Sequence, residues 1–357
     1  MAPGMTSSAP LSLSVLDLVP VRTGQTTAQA LSSARTLARL ADASGVRRYW
    51  VAEHHNTQSV ASTSPPVIIG MLAAATERMR VGSGGVMLPN HAALAVAEQF
   101  ALLEAAHPGR IDLGIGRAPG TDPVTSWALR GGASDQDVVQ RFPEYVQQVM
   151  AFMDPAGAAV QIGPRQHAIT ATPSAAGTPP VWLLGSSDYS ARLAAQLGLP
   201  YVFAHHFAGR GTAEALELYR STFTGPGEPT TFLTVNAVVA DTPEEARRLA
   251  LPFQHMMASL RVPGPMRQRP ILTVEEAVDE PLPIPAGEFA AVTEPWLVGT
   301  PDEVAGQVRD VAARYGVEEV MVQPIGGSYA DEPLDRSLSR ERTVTELAAR
   351  LVGQPVA

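Results

Sequence analysis

Along this chain, short apolar runs rich in β-branched residues alternate with longer stretches whose apolar positions recur at helical spacing. The run Leu11 to Leu16 is followed by Thr27 to Ser44, where Ala30, Leu31, Ala34, Leu37, Ala38 and Ala41 share a face and Gly45 supplies a stop. Arg48 to Ala52 predicts a second strand, and Ser64 with Pro65 and Pro66 opens a helix to about Glu77. A third unit pairs the strand Met79 to Leu88 with the helix Ala92 to His107. A fourth pairs Arg110 to Ile115 with a helix around Gln136 to Met153. Val181 to Leu184 with Ser187 to Leu197, Tyr201 to Ala204 with Thr212 to Phe223, and Thr231 to Ala240 with a helix from Asp241 to about Leu260 continue the rhythm. A helix capped by Thr300 and Pro301 runs to Tyr315, and Glu319 to Val322 is the eighth strand, before a last helix from Ser339 to Leu351. Two segments rich in Pro and Gly, 154–180 and 261–298, read as insertions after the fourth and seventh strands.

Strands that are apolar on both faces, each followed by a helix, predict a parallel sheet covered on both sides. Eight of them favour an α/β fold of the (β/α)8 TIM-barrel type spanning 1–357 as one domain, with a doubly wound open sheet as the alternative.

Composition then removes whole classes of chemistry. The 357 residues include no Cys and no Lys, so all 26 basic residues are Arg. Thiol nucleophiles, Cys-ligated metals, Schiff bases and a Walker A lysine are excluded, and any anion site must use Arg, backbone N–H groups or hydroxyls. A net charge of -9 disfavours nucleic acid as a partner. Residues Met1 to Pro10 lack the basic and apolar regions of a secretory signal, and no apolar run is long enough to span a membrane, so a cytoplasmic location is expected.

In a barrel the chemistry sits at the carboxyl ends of the strands. The residues there are Asp17; Glu53, His54 and His55; Met87 to Asn90; Arg117; Gly185 to Ser187; His205 and His206; and Gln323. Side chains alternate faces along a strand, so Glu53, His54 and His55 cannot all face inward. Histidine exchanges protons near neutral pH, which makes this trio the acid–base candidate. A cage of His54, His55, His205, His206 and Glu53 around a metal is a competing reading, set aside because the first strand supplies only Asp17, so no metal is expected. Arg117, in a Gly-rich loop, together with Gly185, Ser186, Ser187 and Ser190 at a predicted helix N-terminus, offers charge, free amides and hydroxyls to an anion. Glycines Gly82, Gly84 and Gly85 inside a strand mark either close packing or a flat group lying on the backbone.

Taken as an ordered set, several segments resemble the bacterial luciferase-like flavin monooxygenases. These are Glu53-His54-His55-Asn56; Gly82 to Pro89; Ala97 to Phe100 continuing through His107 to Arg117; and Leu183 to Ser187 continuing to Gly198-Leu199-Pro200. The likeness covers about residues 11–260, continues through Val298 to Val322 and weakens in the second insertion. It implies a barrel that binds reduced FMN at the strand carboxyl ends, with His54 beside the reactive face of the flavin. It also implies Arg117, Ser186, Ser187 and Ser190 around the phosphate, and Gly84 and Gly85 joined by a cis bond beneath the ring. Pro324, Ile325, Gly326 and Gly327 depart from the aromatic or charged residues that follow the eighth strand in the nearest members.

The expected activity is a two-component monooxygenase that takes reduced FMN from a separate flavin reductase and places one oxygen atom of O2 into a small organic substrate. A deazaflavin-dependent hydride transfer on the same barrel and a non-catalytic flavin-binding subunit are the alternatives. The helices Ser64 to Glu77 and Ala92 to His107 carry few charges, which predicts a homodimer centred on them.

Overall fold

Alternation along each strand divides this protein into two apolar layers, one inside a ring of strands and one between the ring and its helices. The computed structural model describes residues 11–132, 135–207, 209–262 and 269–352, so Met1 to Pro10 lie outside it. In chain order the strands are β1 (Ser12–Asp17), β2 (Arg48–Val51), β3 (Arg80–Ser83), β4 (Val86–Met87), β5 (Ile111–Gly116), β6 (Ala158–Ile162), β7 (Arg165–Ile169), β8 (Val181–Gly185), β9 (Tyr201–Phe203), β10 (Thr231–Val239), β11 (Leu297–Gly299) and β12 (Glu319–Pro324).

β1, β2, β3, β5, β8, β9, β10 and β12 pair in parallel in that order, and β12 pairs back onto β1. This is the closed (β/α)8 barrel and not the open sheet. β4 extends the edge of β5, β11 adds to β10 outside the ring, and β6 with β7 forms an antiparallel hairpin in the first insertion.

The barrel interior is filled by Leu16, Trp50, Trp182, Val202, Phe232 and Met321. The rings of Trp50, Trp182 and Phe232 meet pairwise at centroid separations of 5.7, 5.5 and 5.1 Å. Beneath them Arg48, at the start of β2, bonds Glu319 at 2.6 and 3.1 Å and Asp112 at 2.9 Å, with its guanidinium 4.8 Å from the Trp182 ring. Burial opposes its charge, yet the two carboxylates raise its pKa above the ordinary arginine value. Removing one partner of such a buried pair costs about 3–5 kcal/mol. The floor is thus sealed by charge and the middle by aromatic rings, which leaves the carboxyl-end mouth as the place for chemistry.

Four local expectations change. The strand expected over Met79 to Leu88 is two pieces, β3 and β4, separated by the cis Gly84–Gly85 peptide and followed by a 3-10 turn over Leu88–Asn90. The helix Pro65–Ala73 stops short of Glu77 because the backbone N–H groups of Glu77, Arg78 and Met79 turn onto the Asp42 carboxylate. The fourth helix is divided into Asp135–Gln140 and Phe142–Met153, and an additional helix, Pro123–Leu129, precedes it with Asp122 as its N-cap. The second insertion ends in β11, which continues the apolar layer over β10.

Candidate active site at the barrel mouth

β2 presents Arg48, Trp50 and Ala52 to the barrel interior and Tyr49 and Val51 to the outer layer. Continued past the strand end, that alternation sends His54 into the mouth and Glu53 away from it. The sequence trio is accordingly divided. Glu53 is fully buried, and one of its oxygens takes both His55 Nε2 at 2.8 Å and His91 Nε2 at 2.7 Å. The other accepts the Met87 N–H at 3.0 Å. Burial acts to raise its pKa, but these hydrogen bonds and the charge of His91 outweigh it and hold the carboxyl at about 2. Glu53 is therefore a permanent anion that fixes two imidazoles, and His55 belongs to this bracing cluster.

His54 has a buried Nδ1 with no hydrogen-bond partner among the described residues. Burial holds its pKa below the ordinary histidine value, partly offset by Glu53, so the ring is neutral at pH 7. Two further polar atoms stand in the same condition nearby: Nδ1 of His206, past the end of β9, and Oδ1 of Asn236 on the inward face of β10. Asn236 Nδ2 donates to the His206 carbonyl at 3.0 Å, and His206 is close enough to His54 for the two rings to oppose each other's protonation. Burial, then His205 and His54, push His206 down to about 3. Buried polar atoms are nearly always paired in folded proteins, and these three stand unpaired on neighbouring residues, His54 past β2, His206 past β9 and Asn236 on β10.

A second cluster forms beside β8. The Arg117 guanidinium stands 4.1 Å from the ring centroid of Tyr189, in the first turn of the helix Asp188–Leu197. No carboxylate among the described residues comes within ion-pair distance of Arg117. Ser187 is the N-cap without a side-chain cap bond, and Ser186 and Ser187 are exposed, so their hydroxyls and the first-turn amides face outward. Ser190 is buried instead, with Oγ 2.9 Å from the Ser187 carbonyl and 3.4 Å from Tyr201 OH, which braces the turn. Gly185 is required by that brace, since a Cβ there would lie 2.1 Å from Ser190 Oγ.

The strand glycines have packing reasons of their own. A Cβ at Gly82 would lie 2.5 Å from the Asp112 carbonyl, at Gly84 2.7 Å from Leu16, and at Gly85 2.8 Å from the Gly114 carbonyl. The Gly84–Gly85 peptide is cis, as the resemblance implies.

Other rim residues do not join the mouth. Asp17 turns to the outer layer, where it accepts Tyr49 OH at 2.5 Å and the Val19 N–H at 2.7 Å and pairs with Arg340. His205 is buried against Tyr315 with Nδ1 2.8 Å from Thr212 Oγ1. Glu53, His55 and His205 thus lie on different structural bonds from His54 and His206, and no metal-holding group of three is formed among the described residues. Of the residues gathered here, Asn236 and His91 were not singled out by the sequence. Asn236 was detectable in principle as a polar side chain at an inward position of an apolar strand.

The closed (β/α)8 barrel thus carries imidazoles at its mouth and an arginine beside an uncapped helix N-terminus. The family model for luciferase-like monooxygenases matches residues 11–319, and the chain belongs to that family. It is 44% identical over 254 residues to a luciferase-like monooxygenase of Escherichia coli (strain K12), covering 70% of this chain and 73% of that one. It is 33% identical over 323 residues to the N-acetyl-S-alkylcysteine monooxygenase of Bacillus subtilis (strain 168), covering 87% and 91%. Among solved structures it is similar to apo-MsnO8, with a TM-score of 0.81 and 35% identity over 96% of this chain and all of that one.

Proposed function

We propose that this chain is a monooxygenase that uses reduced FMN and O2 on a small organic substrate and draws the reduced flavin from a separate reductase. The observation that carries the reading is the pairing of an unopposed cation and an open helix N-terminus, at Arg117 and Ser187, with a mouth holding unpaired imidazole and amide atoms. The first suits a phosphate, because a charge-assisted guanidinium bond and helix amides bind it without a lysine. The second suits the polar edge of a flat ring. When bound, reduced FMN supplies the electrons that activate O2.

His54, neutral at pH 7, is the group able to hold or release a proton at the mouth through its imidazole. His206, kept uncharged, and the Asn236 amide orient polar atoms there without adding charge. The Trp50, Trp182 and Phe232 plug keeps water from entering through the barrel axis. Ser186 and Ser187 extend the anion site of Arg117. Asp188, in the same first turn, is the one residue of this loop whose charge opposes a phosphate.

Dimerisation is part of the same proposal. Val67 on the helix Pro65–Ala73 is 64% exposed and Leu102 on the helix Ala93–Ala106 is 57% exposed, with Met71, Ala95 and Ala106 exposed beside them. Glu104, one of only two charged side chains on the second helix, is buried against the Gly109 N–H, which leaves this face almost uncharged.

Anaerobic titration of the protein with reduced FMN and with a reduced deazaflavin tests the assignment. Tight binding of reduced FMN alone is expected. Preference for the deazaflavin would replace oxygen insertion by hydride transfer.

A further inference from the structure

A pocket opens beside the mouth, between the loop after β1, residues 271–272 of the second insertion and the loop after β12. It reaches the mouth through Leu18, which packs on the aromatic plug, and through the inward-facing Gln323. Its apolar wall is Val60, Phe253, Met256, Ile271 and Leu272. Such a chamber by itself selects only for carbon.

One side chain in the wall changes that. Arg22 lines the cavity and is 6% exposed. Nη1 donates to the Tyr329 carbonyl at 2.5 Å, and Nη2 donates to the Glu332 and Pro333 carbonyls at 2.6 and 3.0 Å. Its buried Nε–H has no acceptor. No carboxylate among the described residues reaches ion-pair distance of this guanidinium. Glu275 feels its charge but spends both oxygens on the Ala330 N–H, and Glu332 directs Oε1 to the Tyr329 N–H while its Oε2 is buried without a hydrogen-bond partner and outside ion-pair distance of Arg22. The other arginine of the wall, Arg340, is already paired with Asp17. Carbonyl dipoles orient Arg22 without neutralising it, the Glu275 charge acts on it only from beyond ion-pair distance, and a buried charge with no counter-ion in contact is costly to keep. The arrangement is completed by an anion entering from the cavity.

We propose that this cavity is the substrate chamber and that it selects small molecules with an apolar body and a carboxylate, bound by Arg22. The proposal rests on the monooxygenase reading for the word substrate, while the binding preference is measured separately from it. The three carbonyl bonds hold the guanidinium at a fixed place, so the carboxylate end is fixed and the apolar body lies along Phe253, Met256 and Leu272 toward Gln323 and the mouth.

Calorimetric titration with hexanoate, octanoate and hexan-1-ol, done anaerobically with and without reduced FMN, tests this. Wild-type protein is expected to bind hexanoate at least tenfold more tightly than hexan-1-ol, since a charge-assisted bond of this kind is worth about ten- to a hundredfold. Octanoate should gain roughly threefold or more per added methylene. Arg22→Gln should erase the preference for acid over alcohol. Leu272→Trp, which fills the chamber and leaves Arg22 in place, should abolish binding of all three while reduced FMN still binds. Equal affinity for acid and alcohol in the wild type overturns the proposal, as does a preference that survives in folded Arg22→Gln or binding unaffected by Leu272→Trp. Should Arg22→Gln fail to fold, the wild-type comparison and the Leu272→Trp arm decide alone. Failure to bind reduced FMN, with the acid preference intact, would instead overturn the flavin reading and leave the anion chamber standing.

Discussion

Replacing Glu53 by Gln removes a charge on which three hydrogen bonds converge, and its cost can be worked from the structure. The carboxyl is held at about 2 against an ordinary 4.5. At 1.36 kcal/mol per pKa unit this corresponds to about 3 kcal/mol of stability at pH 7. Glutamine can keep the three contacts only turned over, with its oxygen on the Met87 N–H and its amide donating to both imidazoles in their Nδ1–H tautomers, and it then offers them no charge. The sign with pH follows from the depressed value. The contribution is fully present above 4.5 and is lost as pH falls toward 2, so about 2 kcal/mol of it has gone by pH 3. Urea unfolding of wild type and Glu53→Gln at pH 7 and pH 3 reads this directly. We expect the variant to be about 2–3 kcal/mol less stable at pH 7, with the gap narrowing at pH 3. A variant within 0.5 kcal/mol of wild type at pH 7, or a gap that does not narrow, would refute the bracing role.

Arg117→Ala should weaken reduced FMN about ten- to a hundredfold in an anaerobic fluorescence titration, and unchanged affinity would remove the phosphate assignment. His54→Ala should keep near-normal flavin affinity and lose about 10²–10⁴ in turnover, whereas His55→Ala should act mainly on stability; the reverse outcome would exchange their roles. Because burial lowers the His54 pKa, wild-type turnover should be level from pH 7 to 8 and fall only below the ordinary histidine range, so a midpoint at or above 6.5 would contradict a buried neutral ring. Val67→Arg combined with Leu102→Arg should convert a dimer into a 37.7 kDa monomer in light scattering, and a wild type that is already monomeric at micromolar concentration ends the dimer proposal. Gly114→Ala places a Cβ 2.1 Å from the Ser83 carbonyl and should cost several kcal/mol or block folding, as seen in thermal unfolding.

Much of the architecture was written locally. Apolar runs such as Val15-Leu16 and Tyr49-Trp50-Val51 are hydrophobic on both faces because both faces are covered, and that property survives in a one-dimensional reading. Helix starts were legible where a side chain caps its own turn, as at Thr26, Thr242 and Thr300. The residue types of the site were legible as well: an imidazole after β2, an arginine after β5 and serines at the start of the helix after β8.

What the sequence could not decide was which of adjacent residues does what. Apart from the family resemblance that singles out His54, nothing local divides Glu53, His54 and His55, and it is the barrel's inside-and-outside alternation that sends His54 to the mouth and Glu53 to a cluster completed by His91, 38 residues on. Helix ends set by distant acceptors, such as the Asp42 carboxylate that stops the helix after Ala73, were likewise invisible. The charge on Arg22 was countable from the start; that it lies buried in a cavity wall, hydrogen-bonded to carbonyls and with no carboxylate in ion-pair contact among the described residues, depends on the 329–333 loop returning to it from the other end of the chain. Hydrophobic period is a property of neighbours in sequence, whereas pairing, burial and an unmet hydrogen bond are properties of neighbours in space.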